Sequence, residues 1–197
     1  MTPRILPLPF AQWELQTQEK LQGAILSPEG QPLNLFSTLA HHPKLLQRWM
    51  VFASFLLAKG ELPARDRELL ILRTAWNCSS EYEWGQHVLI GRAQGISDSE
   101  LVRLRQALSP KDWSGHHYAL LTAADELHLS SRVSQETWAL LATHYSQRQL
   151  IEVPFVVGQY HLVAFTLNAL EVQREAGVPG FAEPAESPHM APALDPV

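Results

Sequence analysis

Four side chains able to move a proton or act as a nucleophile, Glu68, Cys78, Glu83 and His87, fall close together in a segment that opens with an apolar run and continues Glu81-Tyr82-Glu83-Trp84-Gly85-Gln86-His87. Residues four apart on a helix share a face, so Glu83 and His87 project side by side. Glu68 shares a face with Leu72 and Trp76 on the preceding run, and a helical hairpin would carry it toward the same interior space as His87. Burial raises a carboxyl pKa and a neighbouring imidazolium lowers it, so a Glu/His pair in a partly desolvated pocket passes protons near neutral pH. Acid/base chemistry is the expectation.

Each residue also has a purely structural reading. Ser80-x-x-Glu83 at a helix start matches a capping box. His87 is otherwise a hydrogen-bonded core histidine, and Tyr82 and Trp84 serve packing. Glu68, set among Leu69, Leu70, Ile71 and Leu72, lies at the solvent edge, pairs with an arginine such as Arg65 or Arg73, or is functional. Cys78 reads first as a small buried apolar residue, although a place just before a helix N-terminus would lower a thiol pKa. Glu83-x-x-x-His87 has ligand spacing, but a third ligand would have to come from Glu68 or His161, and no metal is assigned. His41-His42 and His116-His117 flank helix starts and read as solvated or capping positions.

Length and composition bound what such a site can belong to. With 197 residues and 46% hydrophobic content, the chain can bury a core as one domain. A formal net charge of -5 with scattered Lys and Arg gives no nucleic-acid footprint. The single cysteine excludes an intrachain disulfide and fits a reducing compartment, for which cytoplasm is the simplest placement. Ile5 to Phe10 is too short and proline-broken for a signal segment, and no run is expected to span a membrane.

The elements that must position these residues read as helical almost throughout, giving an all-α expectation. Residues 1–34 form an N-terminal extension with a helix over Ala11 to Leu21 and a Gly/Pro-punctuated loop from Ser27 to Pro32. After Pro43 comes a first core helix with a stripe of Leu45, Leu46, Trp49, Met50, Ala53, Leu56 and Leu57, stopping at Gly60. Pro63 opens a second helix carrying Glu68 to Trp76, and a third runs from near Ser80 to Gly95. Ser97-Asp98-Ser99-Glu100 is a capping box for a fourth. Further helices are expected at His116 to Leu129, Ser134 to His144 and Arg148 to Ala176. The domain closes at residue 177, and residues 178–197 read as a proline-rich mobile tail.

The run Leu62 to Arg73, then Tyr82-Glu83-Trp84-Gly85-Gln86-His87, then Gly95-Ile96-Ser97 resembles the carboxymuconolactone decarboxylase-like family, which includes alkylhydroperoxidase D. Ala123 to His128 and the Tyr160 to Leu170 stretch with Asn168 resemble its longer members. The resemblance implies an all-helical, alkylhydroperoxidase D-like bundle assembled as trimers or hexamers, with the site near a subunit boundary. The peroxidase branch carries a glutamate, two cysteines separated by two residues, and a histidine four positions after the second. Counted back from His87, the cysteine positions hold Ser80 and Glu83, while Glu68 takes the glutamate's place. The redox pair is absent, and Cys78 is offset by two positions from the first.

The decarboxylase branch is therefore the better guide. It implies cofactor-free conversion of a small carboxylated lactone, in which a dienolate is stabilised and then protonated at carbon. By that resemblance His87 is the acid or electrostatic stabiliser, Glu68 its orienting partner and Glu83 a second acid/base, with Tyr82, Tyr160 and His161 lining the pocket. The partners expected are a small-molecule substrate and further copies of the chain, with neither nucleic acid nor membrane. Two alternatives stand beside this reading: peroxidase-like chemistry on Cys78 alone, and a non-catalytic oligomeric helical protein in which an arginine satisfies Glu68 and no pocket opens beside His87.

Overall fold

The helix from Ala64 to Asn77 is buried along its whole middle, every residue from Asp66 to Ala75 being shielded from solvent. A helix surrounded on all sides must be apolar all round or have its polar groups answered by partners. In the computed structural model, which describes residues 2–21 and 30–181, this helix is the fourth of nine α-helices among the described residues. The others are α1 (Leu15–Leu21), α2 (Asn34–Leu39), α3 (Pro43–Ala58), α5 (Glu81–Ala93), α6 (Asp98–Leu104), α7 (Gly115–Ser130), α8 (Gln135–Ala142) and α9 (Gln147–Leu170), with α4 between α3 and α5. Helix α4 packs against α5, α6, α7 and α9.

Two apolar clusters flank it. Leu70 and Ile71 meet Leu120, Leu141, Val153 and Val157 on one side, while Leu69, Leu72 and Ala75 meet Trp84, Val88, Leu101 and Leu104 on the other. Charged residues on α4 are answered from other parts of the fold, Arg73 and Asp66 among them. Arg73 forks onto Asp125 at 2.7 Å through both Nε and Nη2 and donates to the Leu104 carbonyl at 2.6 Å. Asp66 accepts from Tyr145 at 2.8 Å and pairs with His117 at 3.0 Å. His117 is thus a half-buried partner of a core carboxylate, a correction to the solvated reading of that pair. His42 does cap, its Nδ1 accepting from the Leu45 amide at 3.4 Å.

The hairpin between α4 and α5 is closed by a Schellman turn. The Ser80 amide reaches the Ala75 carbonyl at 2.8 Å and the Ser79 amide reaches Trp76 at 3.0 Å, which puts Ser79 at φ +51°. Helix α5 ends the same way at Gly95, φ +80°, where a left-handed residue without a Cβ is unstrained. The Ser97/Glu100 capping box of α6 is present in both directions.

Three expectations need correction. Helix α9 stops at Leu170 rather than Ala176, because Glu171 turns left-handed at φ +52°. Of the α3 stripe only Leu46 and Leu56 are buried; Leu45 and Leu57 are exposed, as are Val51, Phe52 and Phe55. Helix α9 is also long and apolar enough to cross a membrane by length and composition, with a mean hydropathy of 1.4, because a helix packed among others needs few polar residues. More than half of that window, 56%, is buried inside the fold.

Helix α2 went unforeseen, and the expected helix over Ala11 to Leu21 divides into a 3-10 turn, Phe10–Gln12, and α1. Residues 27–29 of the expected loop from Ser27 to Pro32, and the proline-rich tail beyond Phe181, lie outside the described residues. The tail's first residues, Val178 to Phe181, are described, and the Phe181 ring sits edge-on against Trp76 at 5.1 Å.

Candidate active site

Glu68 and His87 lie at similar distances before and after the Ser79 turn, so the antiparallel run of α4 and α5 sets them opposite each other. Glu68 Oε2 is 2.7 Å from His87 Nδ1. The carboxylate is fully buried and the imidazole keeps only 8% of its surface open. A carboxylate accepts and cannot donate, so Nδ1 carries the hydrogen and Nε2 is left with its lone pair or a second proton. Nε2 takes no hydrogen bond among the described residues. Neither Arg65 nor Arg73 answers Glu68: Arg65 is paired with Glu100 and Arg73 with Asp125. Arg67 Nε stands 3.6 Å from Glu68 Oε1, near enough for attraction and too far for a hydrogen bond.

Glu83 is 2% exposed, and no donor among the described residues reaches either of its oxygens. The capping reading fails on the same geometry, since the Ser80 side chain makes no capping bond and its hydroxyl is itself unpartnered among the described residues. Burial pushes the Glu83 carboxyl well above the ordinary carboxylate range, because the charged form is the one that loses its water. Glu83 does not hold the imidazole one turn away; that role belongs to Glu68. Tyr160, from α9, presents its ring to His87 at a centroid distance of 4.9 Å and an angle of 89°. Burial first, then the charges of Glu68 and Glu83, keep its phenol protonated.

Tyr82 and His161 are placed elsewhere. The Tyr82 hydroxyl donates to Glu175 at 2.8 Å and accepts from the Leu35 amide at 3.2 Å. It lines a cavity of about 700 Å³ together with Asn168, Glu175 and Val178, which none of Glu68, Glu83 and His87 borders. His161 Nδ1 donates to the Val157 carbonyl at 2.8 Å, and its Nε2 is 2.9 Å from His128 Nδ1. It therefore cannot join Glu83 and His87 as a third metal ligand. Cys78 is the C-cap of α4, not the lead-in to a helix N-terminus, and its Sγ lies 3.9 Å from His128 Nδ1. Burial, with the Glu83 charge second, pushes its thiol up to about 11, the opposite of an activated nucleophile. The grouping of Cys78, His128 and His161 draws on three helices, and no local spacing announces it.

These features define an all-α bundle whose central helical hairpin carries a buried carboxylate–imidazole pair. Residues 43–126 match the carboxymuconolactone decarboxylase family, and the fold is alkylhydroperoxidase D-like. Among solved structures it is similar to an uncharacterized peroxidase-related protein from Silicibacter sp. TM1040, at a TM-score of 0.74 and 16% identity over 90% of this chain and 95% of that one. An alkylhydroperoxidase AhpD core protein from Ralstonia eutropha JMP134, also described as peroxidase-related, gives a TM-score of 0.74 and 18% identity over 88% and 93%. A cysteine-to-alanine variant of the debrominase Bmp8, in complex with 2,3,4-tribromopyrrole, gives a TM-score of 0.71 and 16% identity over 89% and 94%. At such identities the likeness is one of fold. No curated protein matches the chain in sequence.

Proposed function

We propose that the protein is a cofactor-independent acid/base enzyme of the carboxymuconolactone decarboxylase type. It acts on a small carboxylated lactone or related aromatic-degradation product by decarboxylation or an allied lyase or isomerase step. The 2.7 Å contact between Glu68 Oε2 and His87 Nδ1 carries this reading. It fixes the imidazole by one nitrogen and leaves the other free for a substrate, the division of labour expected of a positioned general acid/base. As carbon dioxide leaves, His87 stabilises the developing dienolate and then delivers a proton to carbon. Glu83, its carboxyl raised by burial, returns to His87 the proton that the ring has given up, and Tyr160 packs the ring into place.

A thiol mechanism has weaker support, because Cys78 is the sole cysteine and its thiol stays protonated at neutral pH. A reducing, cytoplasmic setting fits that lone thiol. Assembly as a trimer or hexamer belongs to the same reading. Phe52 and Phe155, 6.1 Å apart, form an exposed aromatic pair on adjoining helices, and Phe55 and Ile151, each one turn away along its helix, are exposed too.

Incubation with a panel of carboxylated lactones, with carbon dioxide release followed by mass spectrometry, tests the activity. Wild-type protein and Cys78→Ser turn over alike, whereas His87→Gln loses about 10²- to 10⁴-fold in rate. Full activity in His87→Gln removes the assigned role.

A further inference from the structure

Away from the Glu68/His87 pair, three metal-ligating atoms from three helices face one another: Cys78 Sγ at the end of α4, His128 Nδ1 in the last turn of α7, and His161 Nε2 on α9. All lie within 4.8 Å of one another. We propose that they form a zinc site, one that binds Zn²⁺ through one thiolate and two imidazoles and leaves the fourth coordination position to solvent or a small ligand.

The donor set is the first argument. One sulfur and two imidazole nitrogens suit a borderline-soft divalent ion, and three protein ligands with an open position are the usual complement of a non-structural zinc site. Distances are the second. Tetrahedral zinc at its usual bond lengths sets nitrogens roughly 3.3 Å apart and nitrogen from sulfur roughly 3.6 Å. The observed separations are 2.9 Å between the two histidines and 3.9 Å from His128 to Cys78, each a few tenths of an ångström from those values, and the third, Cys78 to His161, is within 4.8 Å.

Orientation is the third. His161 Nδ1 donates to the Val157 carbonyl at 2.8 Å, which fixes the tautomer and leaves the Nε2 lone pair aimed at the centre of the cluster. Without metal, the 2.9 Å gap requires a proton between the two rings, and His128 Nδ1 supplies it. Zinc takes that proton's place: the hydrogen on His128 moves to Nε2, and one proton is released from the thiol as the Zn–S bond forms. Asn168 Nδ2 donates to the Cys78 carbonyl at 2.9 Å and ties the turn to α9. His128 is solvent-exposed, which gives the ion an entry path.

The other cluster with ligating atoms at close range, Asp66, His116 and His117, differs in a decisive way. The Asp66 oxygens are already taken by His117 and Tyr145, so that carboxylate is a structural clamp.

The test uses the full chain without a polyhistidine tag. Zn²⁺ is titrated against a chromophoric chelator, and Co²⁺ is followed by absorption spectroscopy. We expect one Zn²⁺ per chain and, with Co²⁺, tetrahedral ligand-field bands plus a thiolate-to-cobalt charge-transfer band. Because the chain has one cysteine, that band identifies Cys78 as a ligand without any variant. Cys78→Ser abolishes the band, and Cys78→Ser and His161→Ala each weaken Zn²⁺ binding by about 100-fold or more. His87→Gln leaves both readouts unchanged, so the outcome is independent of the proton-transfer reading. Lack of saturable binding in the micromolar range, or a Co²⁺ spectrum without the thiolate band, overturns the proposal.

Discussion

Glu83 is the residue on which the chemistry and the stability of the fold pull against each other. Its carboxyl is buried without a hydrogen-bond partner among the described residues and is held well above its ordinary value of 4.5. The folded protein therefore binds a proton that the unfolded chain has already released. Its contribution is favourable at low pH and is lost as pH climbs from the unfolded value near 4.5 toward the raised folded value. Within that window the slope is at most about 1.4 kcal/mol per pH unit. Glu83→Gln carries no such proton, so the Tm of the variant relative to wild type should rise from about pH 5 to about pH 8, read by thermal denaturation in matched buffers. A constant difference would mean that Glu83 ionises normally. A helical hairpin already allowed Glu68 to approach His87, but spacing set Glu83 beside the ring, and only the family resemblance made Glu68 the partner of the imidazole. The fate of Glu83 was not legible in the sequence, since Ser80-x-x-Glu83 fits a capping box equally well and only burial decides between them. Tyr82 and His161 could not be placed from sequence, because their partners Glu175 and His128 lie far along the chain.

At the level of elements, the site depends on α4 being held on every side, and Arg73 is the main polar strut. Its side chain is 7% exposed and forks onto Asp125 across to α7. Truncation leaves that carboxylate with Asn77 as its remaining donor and takes the Arg73 donor from the Leu104 and Gln106 carbonyls at the end of α6. Arg73→Ala should therefore lower the unfolding free energy by about 3 kcal/mol in urea titrations. Arg73→Met combined with Asp125→Leu should recover most of that loss, because an apolar pair of similar volume needs no partner. The starts of α4, α6 and α8 were readable from Pro63, Ser97 and Ser134, residues whose local chemistry sets a helix N-terminus. Ends were harder. Helix α9 stops in a Schellman turn at a left-handed Glu171, where the Val172 amide reaches the Leu167 carbonyl at 3.0 Å, and no glycine marks the cap in the sequence. The Arg73–Asp125 strut was likewise invisible, joining residues far apart in sequence.

For the whole molecule, the surface of α3 and α9 separates what one chain can bury from what it leaves open. Phe155 is 53% exposed and Phe55 48%, and of the stripe expected on α3 only Leu46 and Leu56 are buried. The amphipathic pattern of α3 reads as a burial signal, but a single sequence does not say whether the same chain or another copy does the burying. Sedimentation velocity should give a trimer or hexamer for wild type, and Phe155→Glu should shift it to the monomer with its helical circular dichroism retained. A monomeric wild type at micromolar concentration would contradict this.

The claim that α4 presents Glu68 to one nitrogen of His87, and so reserves the other for the substrate, is tested most directly by long-range ¹H–¹⁵N NMR of histidine-labelled protein. The account predicts a His87 ring whose Nδ1 carries a strongly hydrogen-bonded proton and whose Nε2 is free of protein donors and acceptors, with the Nδ1 proton signal moving upfield in Glu68→Gln. A His87 found as the Nε2–H tautomer, or one whose Nδ1 resonance is indifferent to Glu68→Gln, would contradict it.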